Sequence, residues 1–193
     1  MTDERLLAEA SRGREAAFLE LYERHRDAVF RFAYRMLGST ELAEDVTHDC
    51  FLSLLKHPMR FEGTRSSLKT YLLAAARNLS MKQFRSVRGE DALEDLTTEP
   101  SVPERRGPLH RLLDEELGRA VRHAIESLAP LQREALILFE YEEMSLAEIA
   151  EIVGTDTGTV KARLHRARQS LKRQLAPYIE SNKEEVIVDE VLK

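Results

Sequence analysis

Residues 145–175 read SLAEIAEIVGTDTGTVKARLHRARQSLKRQL. Ser145 with Glu148 three positions on is a capping box, so a short helix opens there, and Gly154 is the residue type that ends one. Thr155 to Thr157 can cap a second helix. Two helices joined by a short turn containing glycine make a helix-turn-helix. At about 100° per residue along the second helix, Val160, Leu164, Ala167, Leu171 and Leu175 share one face, suited to packing on Ile149 and Ile152. Ala162, His165, Arg166, Gln169 and Arg173 share the opposite face, flanked by Lys161 and Arg163.

The charge of this segment runs against that of the chain. Thr157 to Leu175 holds six basic side chains (Lys161, Arg163, Arg166, Arg168, Lys172, Arg173) and no acid, while the 193 residues carry 29 Lys+Arg against 34 Asp+Glu, a net charge of −5. Arg and Gln side chains read base edges in a major groove, and a small Ala permits close approach. The remaining cations would attract phosphates without regard to sequence. A basic face that merely meets water is the competing reading. The capping box, the glycine turn and the missing acids favour duplex DNA, with Thr159, Lys161, Ala162, Arg163, His165, Arg166 and Arg168 as the candidate set.

Working outward, the pattern is helical throughout. Apolar spacing predicts helices over 3–11 and 14–37, with Gly38 as a stop and Ser39 as the next cap. A third helix runs through TELAEDVTHDCFLSLLK to Pro58, and a fourth starts at Ser66 or Ser67 after the loop HPMRFEGTR. Residues 60–88 carry seven cations and one acid, interleaved with Phe61, Tyr71 and Phe84. Rings among cations are the composition of a single-strand site, where unstacked bases lie on aromatic faces. The same rings could equally fill a core: Phe84 is assigned there, Phe61 to function, and Tyr71 to either.

Composition changes at Gly89. Residues 89–108, GEDALEDLTTEPSVPERRGP, hold three prolines, two glycines and six acids against two arginines, which reads as a flexible acidic linker. Such a tether would leave two nucleic-acid surfaces separate and uncoupled. Helical pattern resumes near Leu109, Pro130 starts a further helix, and 178–193 is an acidic tail without assignment. The prediction is an all-α chain of two small helical domains, 1–88 and 110–177, joined by the linker 89–109, the second domain containing the helix-turn-helix. One cysteine, Cys50, an acidic N-terminus and no apolar run near the roughly 20 residues that cross a bilayer predict a soluble cytoplasmic protein without membrane insertion.

LAEDVTHDCFLSLLKH, FEGTRSSLKTYLLAAARN and SLAEIAEIVGTDTGTVKARLHRAR, in this order and spacing, resemble the extracytoplasmic-function sigma factors of the sigma-seventy family. ARN on the fourth helix together with GTVKARLHRAR on the last is the specific part, and the likeness covers residues 14–88 and 110–175. The resemblance implies that the first domain docks on the β′ clamp helices of core RNA polymerase and opens promoter DNA at the minus-ten element. The second domain would bind the minus-thirty-five duplex and the β flap. It further implies no catalytic activity, cofactor or metal, and an anti-sigma partner.

By motif position, Lys161, Ala162, His165 and Arg166 would face minus-thirty-five bases. Phe61 and Asn78 would hold a base extruded from the minus-ten strand, with Arg65, Tyr71, Arg77, Lys82 and Arg85 beside them. Leu42, Asp45, His48, Asp49 and Phe51 would lie on the polymerase-docking helix. There Leu42, Val46 and Cys50 form one apolar stripe, with Phe51 and Leu55 roughly opposite, so Phe51 is expected to face a partner. The family usually has tryptophan where Tyr71 stands, glutamine at His48 and serine at Ala162.

Two other classes compete. Asp45, His48, Asp49 and Cys50 could form a metal or acid–base site, but no second ligand cluster, phosphate loop or nucleophile motif accompanies them. A helix-turn-helix regulator binding operator DNA without polymerase needs only the second domain, and leaves the cationic aromatic first domain unexplained. Replacing Arg166 with Ala is expected to weaken promoter binding by about 1–3 kcal/mol, the range for a good base contact. Filter binding with the polymerase-bound chain measures it.

Overall fold

The computed structural model describes residues 1–88 and 111–191 along the backbone, and the side chains of 1–85 and 117–178. The expected linker, 89–109, therefore falls wholly outside the described residues. Among the described residues there are eight α-helices: α1 (Asp3–Ala10), α2 (Glu15–Leu37), α3 (Thr40–Lys56), α4 (Leu68–Arg88), α5 (Arg111–Glu126), α6 (Pro130–Glu140), α7 (Leu146–Val153) and α8 (Thr157–Val191). A short 3₁₀ turn, Pro58–Arg60, lies between α3 and α4. No strand occurs among the described residues.

Local chemistry sets the ends of these helices. Gly38 takes a left-handed φ of 68° and its N–H donates to the Tyr34 carbonyl, closing α2. Glycine adopts that conformation without the steric cost a Cβ adds. Ser39 then caps α3 by accepting from the Leu42 N–H at 3.3 Å. Ser145 and Glu148 form the reciprocal capping box of α7, and Gly154 ends that helix at φ 69°. For α8 the cap is Asp156, which accepts from the Thr159 N–H and hydroxyl. The last helix does not stop near residue 177: its backbone continues through Pro177 to Val191, across the tail left unassigned by pattern alone.

In the first half, α2 packs on α1, α3 and α4. Leu21, Val29, Phe32, Ala33 and Met36 of α2 are buried against Val46, Cys50, Phe51 and Leu54 of α3 and Leu72, Leu73 and Ala76 of α4. Phe51 corrects the sequence reading. It is 2% exposed, edge-on to Tyr22 at 4.8 Å between centroids and to Phe18 at 6.3 Å. The second apolar side of α3 is therefore closed by aromatic rings of α2 and does not wait for a partner. Its neighbour Leu52 is the outward residue, 49% exposed.

The two halves are not held apart. Ile137, Leu138, Met144, Ile149, Val160 and Leu164 belong to the same continuous core as the first-half residues. Both α5 and α6 pack on α2, and α6 and α7 touch α4. The idea of two uncoupled surfaces is thereby corrected: apolar area on α2 and α4 is covered by the second half. A smaller cluster of Ile125, Leu128, Leu136 and Ala167 joins α5, α6 and α8. Truncating Phe51 to Ala should cost about 3–5 kcal/mol of stability, while Leu52→Ala should stay within about 0.5 kcal/mol. Urea unfolding midpoints of the two variants make the comparison.

Candidate nucleic-acid interface and the seam behind it

Packing orients α8. Val160, Leu164 and Ala167 are buried, which turns Lys161, Ala162, His165, Arg166, Gln169 and Arg173 outward, all exposed. The helix-turn-helix thus presents the small, basic and amide-bearing face that the wheel describes. Not every cation in it is unengaged. Arg168 pairs with Glu140 at 2.6 Å and lies over the Phe139 ring. Thr159 is half-buried, its hydroxyl used by the Asp156 cap. Because those bonds reward the charged carboxylate, Asp156 is held below its ordinary range.

In the first half, Phe61 is half-buried and edge-on to Tyr71, 5.6 Å between centroids, and both rings lean on the core. Asn78 is exposed, its amide oxygen accepting from Arg77 at 3.2 Å. Arg65, Lys82 and Arg85 reach solvent, Arg65 lying 3.8 Å from Glu62. Phe84 packs partly on the core and carries the Arg133 guanidinium 5.3 Å from its ring centre. On α3, Asp45, His48 and Asp49 are exposed and Leu42 is half-buried. Cys50 points the other way, into the core, where burial and the nearby Asp49 charge push its thiol up to about 12. It cannot complete a cluster with His48. Among the described residues no three His, Cys, Asp or Glu side chains are placed to share a metal ion.

The seam between the halves holds residues that pattern reading missed. Glu134 is wholly buried. It accepts from Arg77 of α4 at 2.6 and 3.2 Å and from Arg163 of α8 at 3.3 Å, so the two candidate DNA surfaces share one carboxylate. One residue earlier, Arg133 donates to the Met36 carbonyl at the end of α2 and to the Glu126 and Leu128 carbonyls. A cation there also answers the negative end of the α2 dipole. Beyond α6, buried Glu142 meets Lys69 at 2.9 Å and Arg35 at 4.0 Å, and Arg35 stacks on Tyr141. The available signal was Arg133–Glu134 inside the otherwise apolar helix PLQREALILF: charge in a helix buried on all sides needs partners.

The arrangement matches known sequences in both halves. The description "Sigma-70 region 2" fits residues 21–90, and "Sigma-70, region 4" fits residues 118–171. ECF RNA polymerase sigma factor SigL of Mycobacterium tuberculosis is 31% identical over 164 residues, covering 83% of this chain and 90% of the relative. The chain belongs to the ECF sigma factors. Sigma factor SigE of Mycolicibacterium smegmatis is 34% identical over 165 residues, 82% of this chain and 62% of that protein. SigW of Bacillus subtilis is 29% identical over 177 residues, 88% and 94% of the two chains. This sigma factor therefore spans under two thirds of one such relative and nearly all of another.

Solved structures agree on the fold. The sigma factor RpoE of Bartonella quintana, in complex with the anti-sigma factor NepR, aligns with a TM-score of 0.61 at 27% identity, over 82% of this chain and 96% of that one. CnrH, in complex with the cytosolic domain of CnrY, aligns at 0.65 and 23% identity, over 91% and 97%.

Burial raises the Glu134 carboxyl above its ordinary 4.5, outweighing the Arg77 hydrogen bond and the Arg77 and Arg163 charges that pull it down. The folded chain then binds this proton more tightly than the unfolded chain. The carboxyl's contribution to stability is full below 4.5 and declines as pH rises through its raised value. Against Glu134→Gln, which cannot titrate, the unmodified chain should lose relative stability as pH climbs from 4.5. Urea unfolding across a pH series reads this, and a difference that stays flat would contradict it.

Proposed function

We propose that this sigma factor joins core RNA polymerase, directs it to promoters and helps open the DNA there, without catalysing a reaction itself. The observation that carries the reading is the outward face of α8, Lys161, Ala162, His165 and Arg166, set on a capped helix-turn-helix whose apolar side is sealed. That face would read the minus-thirty-five duplex through base edges, with Arg173 and Lys172 on phosphates. Phe61, Tyr71 and Asn78, among Arg65, Lys82 and Arg85, would take the minus-ten strand, rings stacking on bases and cations following the backbone. Tyr71 keeps a ring where the family usually has tryptophan, and Ala162 offers a methyl where serine would offer a hydroxyl, favouring a thymine methyl at that step.

The docking face for the β′ clamp helices would be the exposed side of α3: Asp45, His48, Asp49 and Leu52, with Leu42 at its edge. Phe51 supports it from beneath. The second half would meet the β flap. An anti-sigma partner is expected because the Bartonella relative is held by one. No described helix is long and apolar enough to cross a membrane, and the site of action would be the cytoplasm, where polymerase works. The chain would be a monomer that binds polymerase, not a free dimer reading two operator half-sites, since the first half is otherwise unexplained.

In vitro transcription with core polymerase and a promoter library tests the whole reading. More narrowly, Phe61→Ala combined with Asn78→Ala should leave polymerase association intact and slow strand opening. Permanganate footprinting would show unpaired thymines appearing late; opening at the normal rate would remove both residues from the strand site.

A further inference from the structure

Between α2, α5 and the turn after α6 the surface sinks into a cavity of about 560 Å³, inside the range of about 300–1,000 Å³ usual for small-molecule sites. Its lining is mostly apolar. Phe30 and Tyr34 of α2 contribute two rings, 6.1 Å between centroids and only 14° from parallel. Leu117, Val121 and Ile125 of α5 contribute aliphatic side chains, and Tyr141 a third ring. Leu117 and Tyr141 are 39% and 41% exposed. Large apolar side chains scattered singly on a surface are ordinary, but two that share one concavity mark a binding site. The charge around the cavity is one-sided: Arg31, Arg35 and Arg122 line it against a single acid, Glu126. That acid leans on the end of α2, where a Cβ at Gly38 would lie 3.2 Å from its Oε1. Arg31 and Arg122 are exposed. Arg35 is fixed in place, its guanidinium 4.2 Å from the Tyr141 ring centre. Its enclosed Nη1 makes no hydrogen bond, the Glu142 carboxylate standing 4.0 Å off and closer to Lys69 at 2.9 Å.

We propose that this cavity binds a small amphiphilic carboxylate, its apolar body against Phe30, Tyr34, Val121 and Ile125 and its head on the arginines at the rim. A guanidinium matches a carboxylate through two parallel hydrogen bonds, which sets orientation as well as strength. The apolar body supplies the driving force by leaving water. A cationic head of the same size would meet three like charges and be rejected. Free fatty acids and the anionic lipids of a membrane share this chemistry. The concave lining, with its charge confined to a few arginines, fits one free molecule better than a flat lipid surface. None of these residues belongs to the DNA-reading faces or to the α3 docking face, so the site stands apart from the function proposed above and does not rest on it. Because the ligand contacts α2 and α5 together, its binding raises the stability of the folded chain.

The chain contains no tryptophan, so Leu117→Trp in the full chain places a single fluorescent reporter at the cavity. Titration with dodecanoate, kept below its micellar concentration, should shift the emission to the blue and saturate at one molecule per chain. It should also raise the melting temperature. Dodecyltrimethylammonium, the same body with a cationic head, should bind at least about tenfold more weakly, the scale of a hydrogen bond to a charged group. Acetate, a head without a body, should give no response. Arg122→Glu should weaken dodecanoate by about tenfold, while Arg12→Glu, the same charge change at an exposed position outside the cavity, should not. Equal affinity for the two detergents, equal affinity of the two charge variants, or a response that never saturates would each overturn the site. Flotation on phosphatidylglycerol vesicles without any response to monomeric dodecanoate would also overturn it, by moving the chemistry to a membrane surface. Calorimetry on the unsubstituted chain decides should Leu117→Trp obstruct entry, and Arg31→Glu replaces Arg122→Glu should the latter melt, as seen by circular dichroism.

Discussion

A carboxylate with no access to water must be neutralised or surrounded by donors, and Glu134 is surrounded. Its position in the middle of α6 forces the second half to sit where Arg77 of α4 can reach it, and forces α8 to bring Arg163 alongside. Arg133 next to it fixes the same helix to the end of α2. The apolar seam would tolerate sliding, because hydrophobic contact has no direction. The paired charges do not, since any shift leaves a buried ion without its partner. Register between the halves follows from two adjacent residues.

The cations thereby divide into two populations. Lys161, Arg166, Lys172 and Arg173 on α8, and Lys82 and Arg85 on α4, remain at the surface and give the molecule its local positive potential despite a net charge of −5. Arg77, Lys69, Arg35 and Arg163 are engaged by the buried carboxylates Glu134 and Glu142. A sum over sequence counts both kinds alike. The charge available to nucleic acid depends on which carboxylates sit opposite, and that depends on how the halves pack.

This explains where reading the sequence succeeded and where it stopped. The helices, the Ser39 cap, the Ser145–Glu148 box and the outward face of α8 depend on residues within about a turn or two of one another, so periodicity and capping chemistry express them directly. Phe51 failed for a different reason. On α3 alone it lies opposite the Val46–Cys50 stripe, and only the rings of Tyr22 and Phe18, about 30 positions away, show that this side is buried too. The seam was beyond reach because its partners are separated by the whole linker, 57 positions in the case of Arg77 and Glu134. Charges inside PLQREALILF announced that partners exist without saying which.

Cys50 carries one last consequence. It is the chain's single sulfhydryl, enclosed beneath α4 and protonated at any physiological pH, while nucleophilic attack on peroxide or disulfide requires the thiolate. Peroxides and disulfides therefore meet no reactive thiolate at Cys50, whose sulfur serves the core as a small apolar group.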